Sequence, residues 1–109
     1  MSLTIKITRN FEKEAKPLLK KYPSFKKDIA DFVDELRQNP EPGTSLGHGL
    51  FKIRVAISSK NQGKSGGARV ITYLVRQDST VYLVSIYDKG SYGTVDMGIL
   101  LEILKQEGL

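Results

Sequence analysis

In a chain of 109 residues, 17 lysines and arginines against 12 acidic residues give a formal charge of +5, which favours a polyanionic partner such as nucleic acid or an acidic protein segment. The absence of cysteine excludes a disulfide framework, a thiolate nucleophile and a Cys-based zinc site, and the single histidine, His48, excludes zinc through histidine and a histidine-pair nuclease. One domain over residues 1–109 is expected, with no metal and no other cofactor; the start lacks the apolar h-region of a signal peptide and no apolar run approaches the ~20 residues of a membrane span, so no membrane partner is expected and the cytoplasm is the default compartment.

Leu3, Ile5 and Ile7 alternate with Thr4, Lys6 and Thr8, the pattern of a short strand with one buried face. Asn10 is the expected N-cap of a helix starting near Phe11, with Glu12 and Glu14 in the first turn, where the helix dipole favours negative charge. Phe11, Ala15, Leu18, Leu19 and Tyr22 follow helical spacing, and Pro17 predicts a kink or a restart among them. Ser24 is the expected cap of a second helix whose apolar set is Phe25, Ile29, Phe32, Val33 and Leu36, ended by Asn39-Pro40-Glu41-Pro42-Gly43.

Residues 44–49 read as a loop with two glycines around His48. Three strands then follow at about 50–58, 68–76 and 80–88, the last two joined tightly by Gln77-Asp78-Ser79 and so antiparallel. In the first of them Phe51, Ile53, Val55 and Ile57 share one face and Lys52 and Arg54 the other. In the third, Val81, Leu83, Ser85 and Tyr87 fall together, opposite Tyr82, Val84, Ile86 and Asp88. Asp96 caps a last helix with Met97, Leu100, Leu101 and Leu104 on one side, and Gly108 ends it. Strand, two helices, three strands and a short helix make an α+β sandwich, helices against one face of a mainly antiparallel sheet.

The stretch from Leu50 to Arg76 is the centre of this arrangement, because positive charge collects on its hairpin: Lys52, Arg54, Lys60, Lys64, Arg69 and Arg76, with a phenol at Tyr73. Such a cluster suits a phosphate backbone. Gly63-Lys64-Ser65 does not make a nucleotide-binding P-loop, since Ser58 stands where the leading glycine is needed and a strand follows instead of a helix.

Three segments, Gly49-Leu50-Phe51-Lys52-Ile53-Arg54, Gly66-Gly67-Ala68-Arg69-Val70-Ile71-Thr72-Tyr73 and Val81-Tyr82-Leu83-Val84-Ser85-Ile86-Tyr87-Asp88-Lys89, follow two helices in that order. In this the chain resembles the RelE/ParE superfamily of bacterial toxins, and within it the HigB/RelE-type toxins of type II toxin-antitoxin pairs. The resemblance implies a RelE-like fold, a cognate antitoxin as partner, and metal-free cleavage of mRNA on the ribosome. The ParE branch shares the fold and acts on DNA gyrase instead, and a noncatalytic module that binds nucleic acid or an antitoxin is the remaining alternative.

Metal-free RNA cleavage needs a base for the 2′-hydroxyl proton, cations for the phosphorane and an acid for the 5′-oxygen. With no histidine pair this work falls to Arg, Lys and Tyr, and a crowd of like charges is expected to lower the pKa of a Lys or Tyr within it. Arg54 and Arg69 are assigned to the scissile phosphate as planar bidentate donors, and Tyr87 to base stacking or proton transfer. Lys52, Lys60, Lys64 and Arg76 are assigned to RNA binding, and Lys89 joins them on the strength of the family motif. His48, one histidine between glycines, reads as a loop residue.

Overall fold

The computed structural model describes residues 3–39, 43–60, 63, 66–90 and 96–109. The elements are β1 (Thr4–Ile7), α1 (Arg9–Lys21), α2 (Phe25–Gln38), β2 (Thr44–Gly47), β3 (Leu50–Val55), β4 (Ala68–Val75), β5 (Thr80–Asp88) and α3 (Met97–Gln106). The sheet runs β1-β5-β4-β3-β2; β1 lies parallel to β5 and every other pair is antiparallel. No described helix is long and apolar enough to cross a membrane.

The cap of α1 is Thr8, two residues before the expected Asn10: its hydroxyl accepts the Phe11 N–H at 3.1 Å. Thr8 is free to cap because β1 has just ended, whereas the Asn10 amide is turned to β5 and Glu14. The helix runs unbroken through Pro17, contrary to the expected restart. Pro17 and Lys13 are both exposed, so the Lys13 carbonyl that loses its helical donor faces water. Ser24 stands at the N-cap of α2 but makes no capping bond; its hydroxyl donates to Asp28 instead.

Two cores result, one on each side of the sheet. Phe11, Ala15 and Leu18 of α1 and Phe25, Phe32 and Leu36 of α2 close over Ile53, Val55, Val70, Val81, Leu83 and Ile86. The expectation of helices on one face only is corrected by α3, whose Leu100 and Leu104 cover Leu50, Ile71 and Val84 on the other. Removing that second apolar row from water is worth about 1.5–3 kcal/mol per large side chain, which explains why the short helix folds back.

The expected loop over 44–49 contains a strand. β2 pairs with β3 and joins it through His48-Gly49, both at positive φ (55° and 81°), the geometry of a two-residue type I′ hairpin. Leu46 is its single apolar side chain, so no alternation marks it in the sequence. His48 is exposed at this turn and acts there as a left-handed backbone position.

Thr72 lies at the centre of the sheet, fully buried, with no hydrogen-bond partner for its hydroxyl among the described residues. A buried orphan hydroxyl costs about 1–3 kcal/mol. Thr72→Val keeps the shape and removes the orphan, so it is expected to stabilise the fold by about 1 kcal/mol, seen as a rise in the urea midpoint at constant slope.

Candidate active site

Register brings the three proposed catalytic residues into one row. Arg54 of β3 stands opposite Arg69 of β4, and Arg69 opposite Tyr87 of β5. Directly paired residues are about 4.5–5.5 Å apart at Cα, so the row is roughly 10 Å long. All three share the face of Ile71 and Leu50, the one that α3 covers in part. Like charges directly opposite each other repel, and the Arg54–Arg69 pair is therefore a place where a bound anion gains most.

The environments along the row differ. Arg54 is exposed on β3 beyond Lys52, where the pairing with β2 has ended. At this open edge it also lines a groove of about 160 Å³ whose walls on the opposite side of the sheet are Asp28, Asp31, Phe32 and Glu35 of α2. Arg69 is only 6% exposed, and its Nη1 donates to the Ala68 carbonyl at 3.1 Å, which fixes one terminal nitrogen of the guanidinium. The glycine before Ala68 has a steric reason: a Cβ on Gly67 would overlap the Val55 carbonyl, so β3 and β4 could not close at this end.

Tyr87 is half-buried against the second core. Burial pushes its phenol above the usual value of 10, and the nearby Arg69 charge pulls it back only in part. Clustered cations would by themselves make such a tyrosine more acidic, as expected from the sequence; here desolvation outweighs them. At neutral pH the phenol keeps its proton and is able to donate it.

Lys52 is half-buried two residues before Arg54 on the same face, and Lys89 is exposed just beyond the end of β5, its N–H bonded to the Gly67 carbonyl at 3.1 Å. Lys60 is turned inward. Its Nζ lies 2.7 Å from Asp88 Oδ1 and 3.0 Å from the Gly66 carbonyl, and 5.4 Å from the centre of the Tyr22 ring. Asp88 accepts a second bond from the Tyr22 hydroxyl at 2.6 Å. Arg76 sits in the exposed turn after β4, seven residues from Arg69 and hence roughly 23 Å along an extended chain. The structure thus gathers Lys52, Arg54, Arg69, Tyr87 and Lys89 and leaves Arg76 at the far end; Lys64 lies outside the described residues.

Two polar networks frame this end, and neither is foreshadowed by a sequence motif. One is Tyr22–Asp88–Lys60. In the other, Asp28 accepts from the Ser24 hydroxyl (2.8 Å), the Ser58 N–H (2.9 Å) and the Ser58 hydroxyl (2.6 Å), so the turn Ser58–Lys60 is held on α2. Burial alone would raise the Asp28 pKa, but these bonds outweigh it and hold the carboxyl below its ordinary range. Ser58 lies 30 residues from Asp28, and Asp88 lies 28 from Lys60 and 66 from Tyr22, so no local pattern announces either network.

No family model matches the chain. Among solved structures it is similar to the isolated E. coli RelE toxin, with a TM-score of 0.60 at 14% identity over 95% of this chain and 97% of that one. A doubly substituted E. coli RelE mutant in the free state gives 0.60 at 12% identity over the whole of both chains. A conserved hypothetical protein from Helicobacter pylori, HP0892, gives 0.48 at 17% identity over 81% and 96%. A likeness that extends along both chains at such low identity is one of backbone architecture, and this protein has the RelE toxin fold.

Proposed function

We propose that the chain is the toxin of a type II toxin-antitoxin pair, of the HigB/RelE kind, and that it cleaves mRNA on the ribosome. The observation that carries this reading is the row Arg54–Arg69–Tyr87, set side by side by strand register with Lys52 and Lys89 at its flanks. Arg69 and Arg54 hold the scissile phosphate and neutralise the phosphorane. The 2′-oxygen bonds to phosphorus, its proton leaves to a base, and the P–O5′ bond breaks. Tyr87, protonated at neutral pH, donates to the departing 5′-oxygen. The products are a 2′,3′-cyclic phosphate and a 5′-hydroxyl. Lys52 and Lys89 position the backbone on either side, and the charge of +5 suits an antitoxin with acidic segments.

Induced expression followed by mapping of RNA 5′ ends tests the proposal. Cuts within translated codons are expected, and they should disappear when translation initiation is blocked. Intact transcripts with stalled replication would instead assign the protein to gyrase.

A further inference from the structure

β5 does not alternate along its whole length. Ile71 of β4 faces Ser85 while its neighbour Thr72 faces Leu83, so Val84 is an extra residue on β5, a β-bulge. Before the bulge, Val81 and Leu83 point into the core under α1 and α2, and Tyr82 and Val84 to the α3 side. After it, Ile86 is in the first core and Tyr87 on the α3 side. Strict alternation from Leu83 would bury Tyr87 under α1 and set Ile86 beside Arg69. The bulge is what delivers the phenol to the guanidinium.

It lies where β5 loses its outer neighbour. β1 pairs only with Thr80–Leu83, and beyond that the beginning of α1 takes over the edge. The Thr8 N–H and hydroxyl donate to the Leu83 carbonyl at 3.1 and 2.9 Å, with the hydroxyl also 3.3 Å from the Val84 carbonyl. Asn10 Nδ2 donates to the Val84 carbonyl at 2.9 Å and to Glu14 Oε1 at 2.6 Å. The same Glu14 oxygen accepts from the Ser85 hydroxyl at 2.7 Å. The first-turn N–H groups of α1 are met by the Thr8 hydroxyl and the Glu107 carboxylate, and this gives no reason for the side chains of Asn10, Glu14 and Ser85 to meet on the bulge.

We propose that Asn10, Glu14 and Ser85 are positioning residues that fix the β5 bulge and, through it, hold Tyr87 against Arg69. This rests on the cleavage site proposed above.

The test compares Asn10→Ala/Ser85→Ala, Glu14→Leu and the conservative Glu14→Gln with wild type. Two readouts are taken: kcat and KM for cleavage of ribosome-bound mRNA, and NOEs from the Tyr87 ring, assigned with Tyr87→Phe, to methyl groups of the Ile71–Leu100 cluster. In the first two variants kcat should fall on the order of a hundredfold with KM within about threefold, as expected for a misplaced catalytic group. The NOEs from the ring to that cluster should vanish, and Glu14→Gln, which keeps an acceptor for Ser85, should recover both readouts. A lowered Tm with kcat and the ring NOEs unchanged would overturn the proposal and leave the network merely structural. Where the double variant does not fold, Ser85→Ala alone is read by the same criteria. The NOEs do not depend on activity: a wild type that leaves mRNA uncut, with the ring NOEs absent only in the variants, overturns the cleavage reading and keeps the positioning one.

Discussion

Replacing Arg69 by alanine is expected to lower mRNA cleavage on the order of a thousandfold, since a single preorganised donor to a developing oxyanion is worth about 10²–10³ and an arginine at a transferring phosphoryl group can exceed that. Growth arrest on induction should vanish with it. The size of the effect follows from position. Arg69 is the middle of the row and is nearly enclosed, so its charge acts on the phosphate with little screening by water. Arg54 is exposed at the row's end, and Arg54→Ala is expected to cost only about tenfold. Arg69→Lys keeps a charge but not the planar pair of donors, so it should recover only part of the loss. Because the Arg69 stem is buried, Arg69→Met serves as the control that keeps the packing. Cleavage at the wild-type rate by a folded Arg69→Met chain removes Arg69 from the site.

What the sequence revealed depended on how far apart the determining residues lie. Alternation over about 50–58, and the apolar spacing of Phe25, Ile29, Phe32, Val33 and Leu36, are local patterns, and β3, β4 and α2 form within the stretches expected. β3 stops at Val55, short of the expected 58, because the chain turns at Ser58–Lys60. Lys52 and Arg54 could therefore be placed on one face from parity alone, whereas Arg69 joins them through the register of β4 with β3. Tyr87 joins them against the parity of β5, which grouped it with Val81 and Leu83. The bulge that reverses this depends on Thr8, Asn10 and Glu14, more than 70 residues away. β2 escapes a sequence reading for a different reason. Its register with β3 and the positive φ values of His48 and Gly49 define it, and its side chains carry almost no apolar signal. Lys60 shows the limit of reading charge from composition: a lysine in a glycine-rich loop looks like a contact for phosphate, yet here its ammonium is satisfied by Asp88 and the Gly66 carbonyl.

Asp88→Asn is expected to destabilise the fold by about 2 kcal/mol at pH 7, and to flatten the acid limb of its stability curve. The Asp88 side chain is 11% exposed, and burial by itself would raise its pKa. Hydrogen bonds from Lys60, Tyr22 and the Gly90 N–H, with the Lys60 charge, outweigh that and hold it at about 2, against an ordinary 3.8. A pKa lowered on folding means that the unfolded chain binds the proton more tightly. The stabilisation is thus complete above about pH 5 and is lost as the pH falls through 2. Lys60 titrates in the opposite sense: the hydrogen bond to Asp88 raises its pKa, so its share is present below the ordinary 10.5 and fades only as the pH climbs through the raised value. Between these limits the pair contributes a constant amount. Lys60→Met leaves the Asp88 carboxylate buried with Tyr22 and Gly90 as donors but no countercharge, and should cost about 2–3 kcal/mol at neutral pH. In the double variant Lys60→Met/Asp88→Asn the two losses should not add, the difference being the coupling of the pair. Urea titrations of the four chains at about pH 7 and pH 3 measure each of these effects. An Asp88→Asn chain as stable as wild type at pH 7 would show that the contact does nothing for the fold. The functional weight of the result comes from sequence position: Asp88 follows Tyr87 and points to the opposite side of the sheet, so the bond that ties β5 to Lys60 and Tyr22 also fixes the backbone from which the phenol reaches Arg69.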